Sequence, residues 1–165
     1  MGTAVSELLG GERVLGPSLK SNLDLAHATR EGLPAQTARE LAVLILGREP
    51  RSIADAVALG PWTGESDVTH EVLGPLGALI DSLTDYPPGQ FLERLSPANS
   101  DMVVRIATAM ARAIDVLGDR AKAVHWLTTA NRAFGGEVPI TLLDTSAGAH
   151  EVEALLERIE YGVYS

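Results

Sequence analysis

The chain has 165 residues, 45% of them hydrophobic and only 4% aromatic, and it contains no cysteine. This length fits one domain or two small domains that share a core, and the lack of cysteine excludes a disulfide framework and a thiolate metal site. A formal net charge of −9 argues against broad, non-specific binding of nucleic acid, because phosphates are repelled by such a field.

No signal for export or membrane insertion is found in the sequence. The N-terminus lacks a basic region followed by an apolar core, and no apolar run is long enough to span a bilayer. We therefore expect a cytoplasmic protein that does not contact a membrane.

The N-terminal part begins with glycines and scattered charges. Within residues 1–22, Ser6-Glu7-Leu8-Leu9 could form one helical turn, and the rest predicts a loosely ordered segment that Leu15 and Leu19 tether to the core. Asn22 is expected to cap a first helix, and Pro34 to begin a second one. The second helix is apolar around much of its circumference, which is typical of a helix buried between others.

The middle of the chain has weaker helix signals. A helix over residues 65–82 is predicted to be interrupted at Gly74-Pro75. Apolar residues keep helical spacing across that break, and they are Leu73, Leu76, Leu79, Ile80 and Leu83. Because an exposed apolar stripe needs a cover, we expect the chain to form a homodimer.

The C-terminal part has the most consistent signals. Ser96 followed by a proline begins a long helix that ends at Gly118, and Asp119 caps the next helix. Thr145 or Ser146 caps the last helix. The inner face of this last helix carries Val152, Leu155, Leu156 and Ile159.

No set of catalytic residues emerges from the sequence. None of the four histidines is spaced for a helical metal site, and no serine has a Gly-x-Ser-x-Gly setting. Gly135-Gly136 predicts a plain turn, since a dinucleotide cradle needs a preceding strand and a third glycine. The histidines are His27, His70, His125 and His150. We predict a binding protein without metal or cofactor, not an enzyme.

An ordered series of motifs runs through residues 96–165. It consists of Trp126-Leu127, Asn131-Arg132-Ala133-Phe134-Gly135-Gly136, Pro139-Ile140-Thr141-Leu142-Leu143, Thr145, Gly148, Val152, Leu156 and residues 158–165. This series resembles the C-terminal toxin-binding domain of the MbcA/ParS/Xre antitoxins. Residues 25–46, with Glu31-Gly32-Leu33-Pro34, resemble the start of the Xre antitoxins that are paired with RES-domain toxins.

The resemblance implies an all-α, multi-helix bundle. Residues 23–95 would be a helical, Xre-like or dimerisation region, and residues 96–165 the toxin-binding domain. A helix-turn-helix is implied for the middle, but residues 48–95 have three arginines against eight Asp and Glu. Because such a surface repels DNA, we interpret this part as a diverged module that packs or forms dimers.

The resemblance also implies a function. In these antitoxins the C-terminal domain grips the toxin, and the chain end lies at or in the toxin's active-site cleft. The expected partner is a RES-domain toxin, a bacterial NAD-degrading enzyme similar to ADP-ribosyltransferases. Val163, Tyr164 and Ser165 are expected to enter its pocket. The flanking surface is expected to comprise Ala154, Glu157, Arg158, Tyr161 and Gly162, on a core that includes Trp126, Phe134, Leu142 and Leu143.

Physical arguments alone leave two interpretations of the last tyrosines open. Tyrosines are enriched at interface hot spots, but Tyr161 and Tyr164 could equally cover the chain's own core. The resemblance favours the interface, since the acidic last helix would complement a cavity that attracts the pyrophosphate of NAD. Two other classes stay open. One is a DNA-binding autorepressor of the toxin–antitoxin operon, and the other is a helical scaffold without a toxin.

Overall fold

A computed structural model describes residues 2–17, 21–46, 74–84 and 94–162. These residues are mostly helical and include no strand, which confirms the predicted all-α class. The elements run in the order α1 (Gly2–Leu8), α2 (Gly11–Leu15), α3 (Asn22–Glu31), α4 (Gln36–Leu46), α5 (Pro75–Thr84), α6 (Pro97–Leu117), α7 (Arg120–Thr128), two 3-10 helices (Arg132–Phe134 and Pro139–Asp144) and α8 (Ser146–Glu160). Most of the predicted helix-turn-helix region lies outside these ranges.

Helix α6 occupies the centre of the molecule. Its ends are those predicted, with the Ser96 hydroxyl accepting the Asn99 N–H at 3.1 Å and Gly118 in a left-handed conformation. Its buried face includes Val103, Ile106 and Met110, and it packs against α1, α3, α4, α7 and α8. No helix in the described ranges is both long and apolar enough to cross a membrane.

The N-terminal segment differs from the loosely ordered chain predicted for residues 1–22. Helices α1 and α2 form there, and Val5 and Leu9 are buried against the common core. Arg13 on α2 also forms an ion pair with Glu40 on α4 at 2.5 Å. Tertiary packing stabilises helices that are too short to be stable alone. Leu15 contacts the core as predicted, and Leu19 lies outside the described residues.

The two predicted starts of the next helices also need correction. Ser21, not Asn22, caps α3, and its N–H and hydroxyl bond reciprocally with Asp24 in a capping box. Helix α4 begins at Gln36, two residues after Pro34. Pro34 instead forms an isolated antiparallel bridge with Arg94.

The turn between α3 and α4 is joined to the start of α6 by hydrogen bonds. Leu33 N–H donates to the buried Ser100 hydroxyl at 2.8 Å, and Leu95 N–H donates to the Leu33 carbonyl at 2.7 Å. A Cβ at Gly32 would lie 2.3 Å from the Leu95 carbonyl oxygen, so the chains approach closely here. The parts predicted as residues 23–95 and 96–165 therefore share one core.

Helix α5 changes the argument for a dimer. This helix begins at Pro75, directly after Gly74. Residues 65–73 lie outside the described part, so the predicted interruption of a longer helix stays a prediction. Leu76 and Leu79 are buried within the same chain, so the prediction that they form an exposed stripe is wrong. The side chains of Ile80 and Leu83, and all of Leu73, lie outside the described part. The homodimer stays a prediction with less support.

Candidate functional site

Helix α8 has one face in the core and one face in solvent. Its start is set by Thr145, whose hydroxyl accepts the Gly148 N–H at 3.1 Å, which decides between the two predicted caps. Val152, Leu155 and Leu156 are buried and Ile159 is partly buried, as the spacing predicts. The opposite face is thereby turned to solvent along the length of the helix.

The beginning of α8 is fixed against the second 3-10 helix and α6. A Cβ at Gly148 would lie only 1.9 Å from the Leu142 carbonyl oxygen, so glycine permits this close approach. Arg105 on α6 donates from Nε to the Leu143 carbonyl at 3.1 Å and from Nη2 to the Asp144 carbonyl at 2.8 Å. Its third partner is the Asp101 carboxylate. One guanidinium thus holds the chain directly before α8.

The end of α8 is held by a second arginine of α6. The Arg112 guanidinium lies 2.5 Å from the Glu160 carboxylate, and this hydrogen bond raises the pKa of Arg112. Tyr161 follows as the C-cap residue and is 72% exposed, and Gly162 is left-handed at φ 68°. The last turn is therefore fixed in direction, while the Tyr161 side chain projects into solvent.

The predicted binding residues fall into two groups. The first group is described by the structure: Ala154 is partly buried, and the other four residues, Glu157, Arg158, Tyr161 and Gly162, are exposed. Ala154, Glu157 and Arg158 lie on α8, and Tyr161 and Gly162 follow its end. The predicted pocket residues Val163, Tyr164 and Ser165 lie outside the described residues.

Of the four residues predicted to support this helix, Leu142 and Leu143 belong to the second 3-10 helix, which packs against α8, whereas Trp126 belongs to α7 and Phe134 to the first 3-10 helix. Leu143 is fully buried, and Trp126, Phe134 and Leu142 are partly buried against the core. The rings of Trp126 and Phe134 meet edge to face, with centroids 6.4 Å apart and planes at 75°. Such pairs add stability beyond the area they bury.

An open groove lies beside α8, and sequence reasoning missed it. Its volume is about 280 Å³. The residues that line it are Val5 of α1, Thr108, Ala111 and Arg112 of α6, and His150, Glu153, Ala154 and Glu157 of α8. Because these helices are distant in sequence, no local pattern indicated that they enclose a common groove.

The histidines do not form a metal centre in the described part of the chain. No group of three or more His, Cys, Asp or Glu residues there could hold a metal ion. His125 is exposed, and its Nδ1 lies 3.3 Å from the Thr129 hydroxyl. His70 lies outside the described residues, so the absence of a metal and of catalysis stays a prediction.

Comparison with known proteins identifies the region that contains this face. Residues 112–162 match the family model of the antitoxin Xre/MbcA/ParS C-terminal toxin-binding domain. A protein named Antitoxin Xre from Photorhabdus laumondii is 29% identical over 154 residues, which is 93% of this chain and 99% of that protein. Residues 112–162 therefore carry a toxin-binding domain of the Xre/MbcA/ParS type, and the chain as a whole is similar to a protein named Antitoxin Xre.

Two further proteins named Antitoxin Xre match over shorter lengths. Antitoxin Xre from Yersinia enterocolitica is 38% identical over 73 residues, 44% of this chain and 49% of that protein. Antitoxin Xre from Pseudomonas putida is 35% identical over 68 residues, 41% of this chain and 43% of that protein. The alignments thus span about half the length of these two relatives. The toxin-binding domain match begins at Arg112 and includes the whole of α8, whereas Val5 and Thr108 of the groove precede it.

Proposed function

We propose that this chain is the antitoxin of a type II toxin–antitoxin pair and neutralises a RES-domain, NAD-degrading toxin by direct binding. The observation that carries the proposal is the exposed Tyr161 at the end of α8, within the segment that matches a toxin-binding domain. A large aromatic side chain held at a fixed helix end makes contact area at little entropic cost. No chemistry is assigned to this chain, and both proteins are expected in the bacterial cytoplasm.

The negative charge of α8 supports the proposal that it binds at a cationic cavity. Glu151, Glu153, Glu157 and Glu160 outnumber Arg158 as the acidic and basic groups of this helix. An enzyme that binds NAD must attract a pyrophosphate, so its pocket is expected to be cationic. An anionic helix would therefore be steered towards it and would complement it once bound.

The proposed mechanism is occlusion of the toxin's active site. Ala154, Glu157, Arg158 and Tyr161 would cover the rim of the cleft, and Gly162 would let the chain leave the helix. In this proposal Val163, Tyr164 and Ser165 lie where NAD would otherwise enter. The ion pair between Arg112 and Glu160 supports this mechanism, because it fixes the turn from which the closing residues depart.

A deletion tests the mechanism. The chain without residues 161–165 would be co-expressed with the protein encoded beside it, which the proposal expects to be a RES-domain toxin, and growth and cellular NAD would be measured. We expect the full chain to preserve both and the shortened chain to lose protection, with unchanged thermal unfolding. If the shortened chain protects cells as well as the full chain does, occlusion by the tail is wrong. If the full chain fails to bind the RES protein, the proposed partner is wrong.

Substitutions at two exposed apolar side chains provide a matched control. Tyr161 is 72% exposed and Leu23 on α3 is 67% exposed. Tyr161→Ala is expected to weaken toxin binding by at least about tenfold, as truncation of an interface hot spot does. Leu23→Ala removes a similarly exposed side chain from a helix outside the matched domain. It is expected to leave binding within about twofold.

A further inference from the structure

We propose that the groove between α1, α6 and α8 is a second contact site for the toxin and receives an apolar side chain flanked by Lys or Arg. This inference rests on the proposed function, since it takes the partner to be the same toxin. It extends the interface from one face of α8 to a composite surface that includes Val5 at the N-terminal end of the chain.

The lining of the groove favours an apolar group in its interior. Its most buried members, Val5 and Ala111, are apolar and only 5% and 6% exposed. The Thr108 hydroxyl already donates to the Val104 carbonyl at 2.8 Å, so it needs no further polar partner. An apolar side chain that enters therefore displaces water without leaving a buried polar group unsatisfied.

The charges at the edge of the groove favour a cation beside that apolar group. Arg112 is engaged by Glu160, so its charge is offset within the chain. Glu153 and Glu157 are exposed and form no ion pair with another described residue. The charge of Glu157 contributes to raising the pKa of Arg112, so Glu153 is the more available carboxylate. A Lys or Arg of the partner would therefore pair first with Glu153, and an acidic segment would be repelled.

The groove is large enough for a side chain of a partner. Its volume of about 280 Å³ is at the lower end of the range of about 300–1,000 Å³ that is typical of small-molecule sites. It is also open to solvent along one side, as suits a contact with another protein's surface. Access to the groove depends on α1, because Val5 belongs to that helix.

A pair of charge reversals tests the electrostatic part of this inference. Glu153 lines the groove, whereas Glu137 is exposed in the same matched domain, outside α8, and does not line it. With the purified toxin that the proposed function requires, Glu153→Lys is expected to weaken binding about 5- to 10-fold. Glu137→Lys, which changes the net charge equally, is expected to stay within about twofold. Equal losses for both variants would overturn the proposal, because only total charge would then matter.

A second variant tests whether the groove is occupied. Thr108→Leu adds apolar bulk at its lining and is expected to weaken binding by at least about tenfold, with thermal unfolding as the check on folding. Unchanged binding by a folded Thr108→Leu protein would overturn the proposal, and if that variant fails to fold, the Glu153 comparison decides alone. Suppose that deletion of residues 161–165 abolishes protection from the toxin, whereas the groove variants bind the toxin normally. This result would refute the groove as a toxin contact and leave the proposed function intact. Failure of the full chain to bind the RES protein would refute both.

Discussion

Gly148 is required because there is no room for a side chain at this position, and not because its backbone conformation needs glycine. It lies in the first turn of α8, where alanine ordinarily stabilises a helix by about 1 kcal/mol relative to glycine. A Cβ at this position would be 1.9 Å from the Leu142 carbonyl oxygen and 2.8 Å from its carbonyl carbon. Both atoms belong to the backbone, so no rotation of a flexible side chain relieves the clash.

Gly148→Ala should therefore destabilise the protein, against the helix propensity of alanine. We expect the free energy of unfolding in urea to fall by about 1–3 kcal/mol, the usual range for an overpacked core. Ala147→Ser adds one heavy atom at the exposed neighbouring position and should change it by no more than about 0.5 kcal/mol. A neutral or stabilising Gly148→Ala would mean that α8 can move away from the 3-10 helix at little cost.

Ser100 illustrates how a polar residue specifies the core. Its side chain is fully buried, and its hydroxyl accepts the Leu33 N–H at 2.8 Å. A buried backbone N–H without an acceptor typically costs about 1–3 kcal/mol. The contact joins residues 67 positions apart, so this serine belongs to the tertiary structure as well as to its own helix.

The orientation of helix α8 depends on Arg105. Its guanidinium bonds two successive carbonyls at the end of the second 3-10 helix and also pairs with Asp101. These carbonyls immediately precede the cap of α8, so the arginine fixes where the helix begins. Lysine cannot reproduce this arrangement, because it lacks the planar fork of donors.

Arg105→Lys is expected to lower the free energy of unfolding by about 1–2 kcal/mol, since hydrogen bonds from a charged donor are lost. It should also weaken toxin binding, because the exposed face of α8 is no longer held at one angle. Asp101→Asn is the control, since it removes an exposed ion pair worth at most about 1 kcal/mol and keeps both carbonyl bonds. Urea unfolding and binding would be measured for both variants, and equal effects would show that the ion pair is what matters.

Local signals predicted the elements of the C-terminal part well. The caps Ser96, Gly118 and Asp119 each depend on a few neighbouring residues, and the structure has all three where predicted. The contacts that position α8 depend on residues far apart in the chain, such as the 38 positions between Arg105 and Leu143. Periodicity carries no information about such pairs, and for the same reason the groove was not predicted.

The short N-terminal helices failed prediction for a related physical reason. Helix α2 has five residues, and the glycine before it provides no side-chain cap. Such helices exist because Val5 and Leu9 are buried by the rest of the protein, and composition alone therefore suggested loose chain. The candidate face on α8 was predictable because it needed only helical spacing and the family resemblance.

Helix α6 belongs both to the matched domain and to the packing of the N-terminal helices. The matched domain begins at Arg112, within α6, and the same helix packs against α1, α3 and α4. A helix that contributes to both parts transmits instability from one to the other. We therefore expect residues 2–17 and 94–162 to unfold in one cooperative transition.

Leu9→Ala tests this cooperativity from a position outside the matched domain. Leu9 is fully buried, and its truncation should cost about 2–5 kcal/mol. If unfolding is cooperative, the slowest-exchanging amide hydrogens of α8 should exchange at least about tenfold faster, measured by mass spectrometry. Leu23→Ala, the same substitution at an exposed position, should leave them unchanged. Unchanged amide exchange in α8 of a destabilised Leu9→Ala protein would mean that the two parts unfold separately. Val5 would then line the groove without stabilising the exposed face of α8.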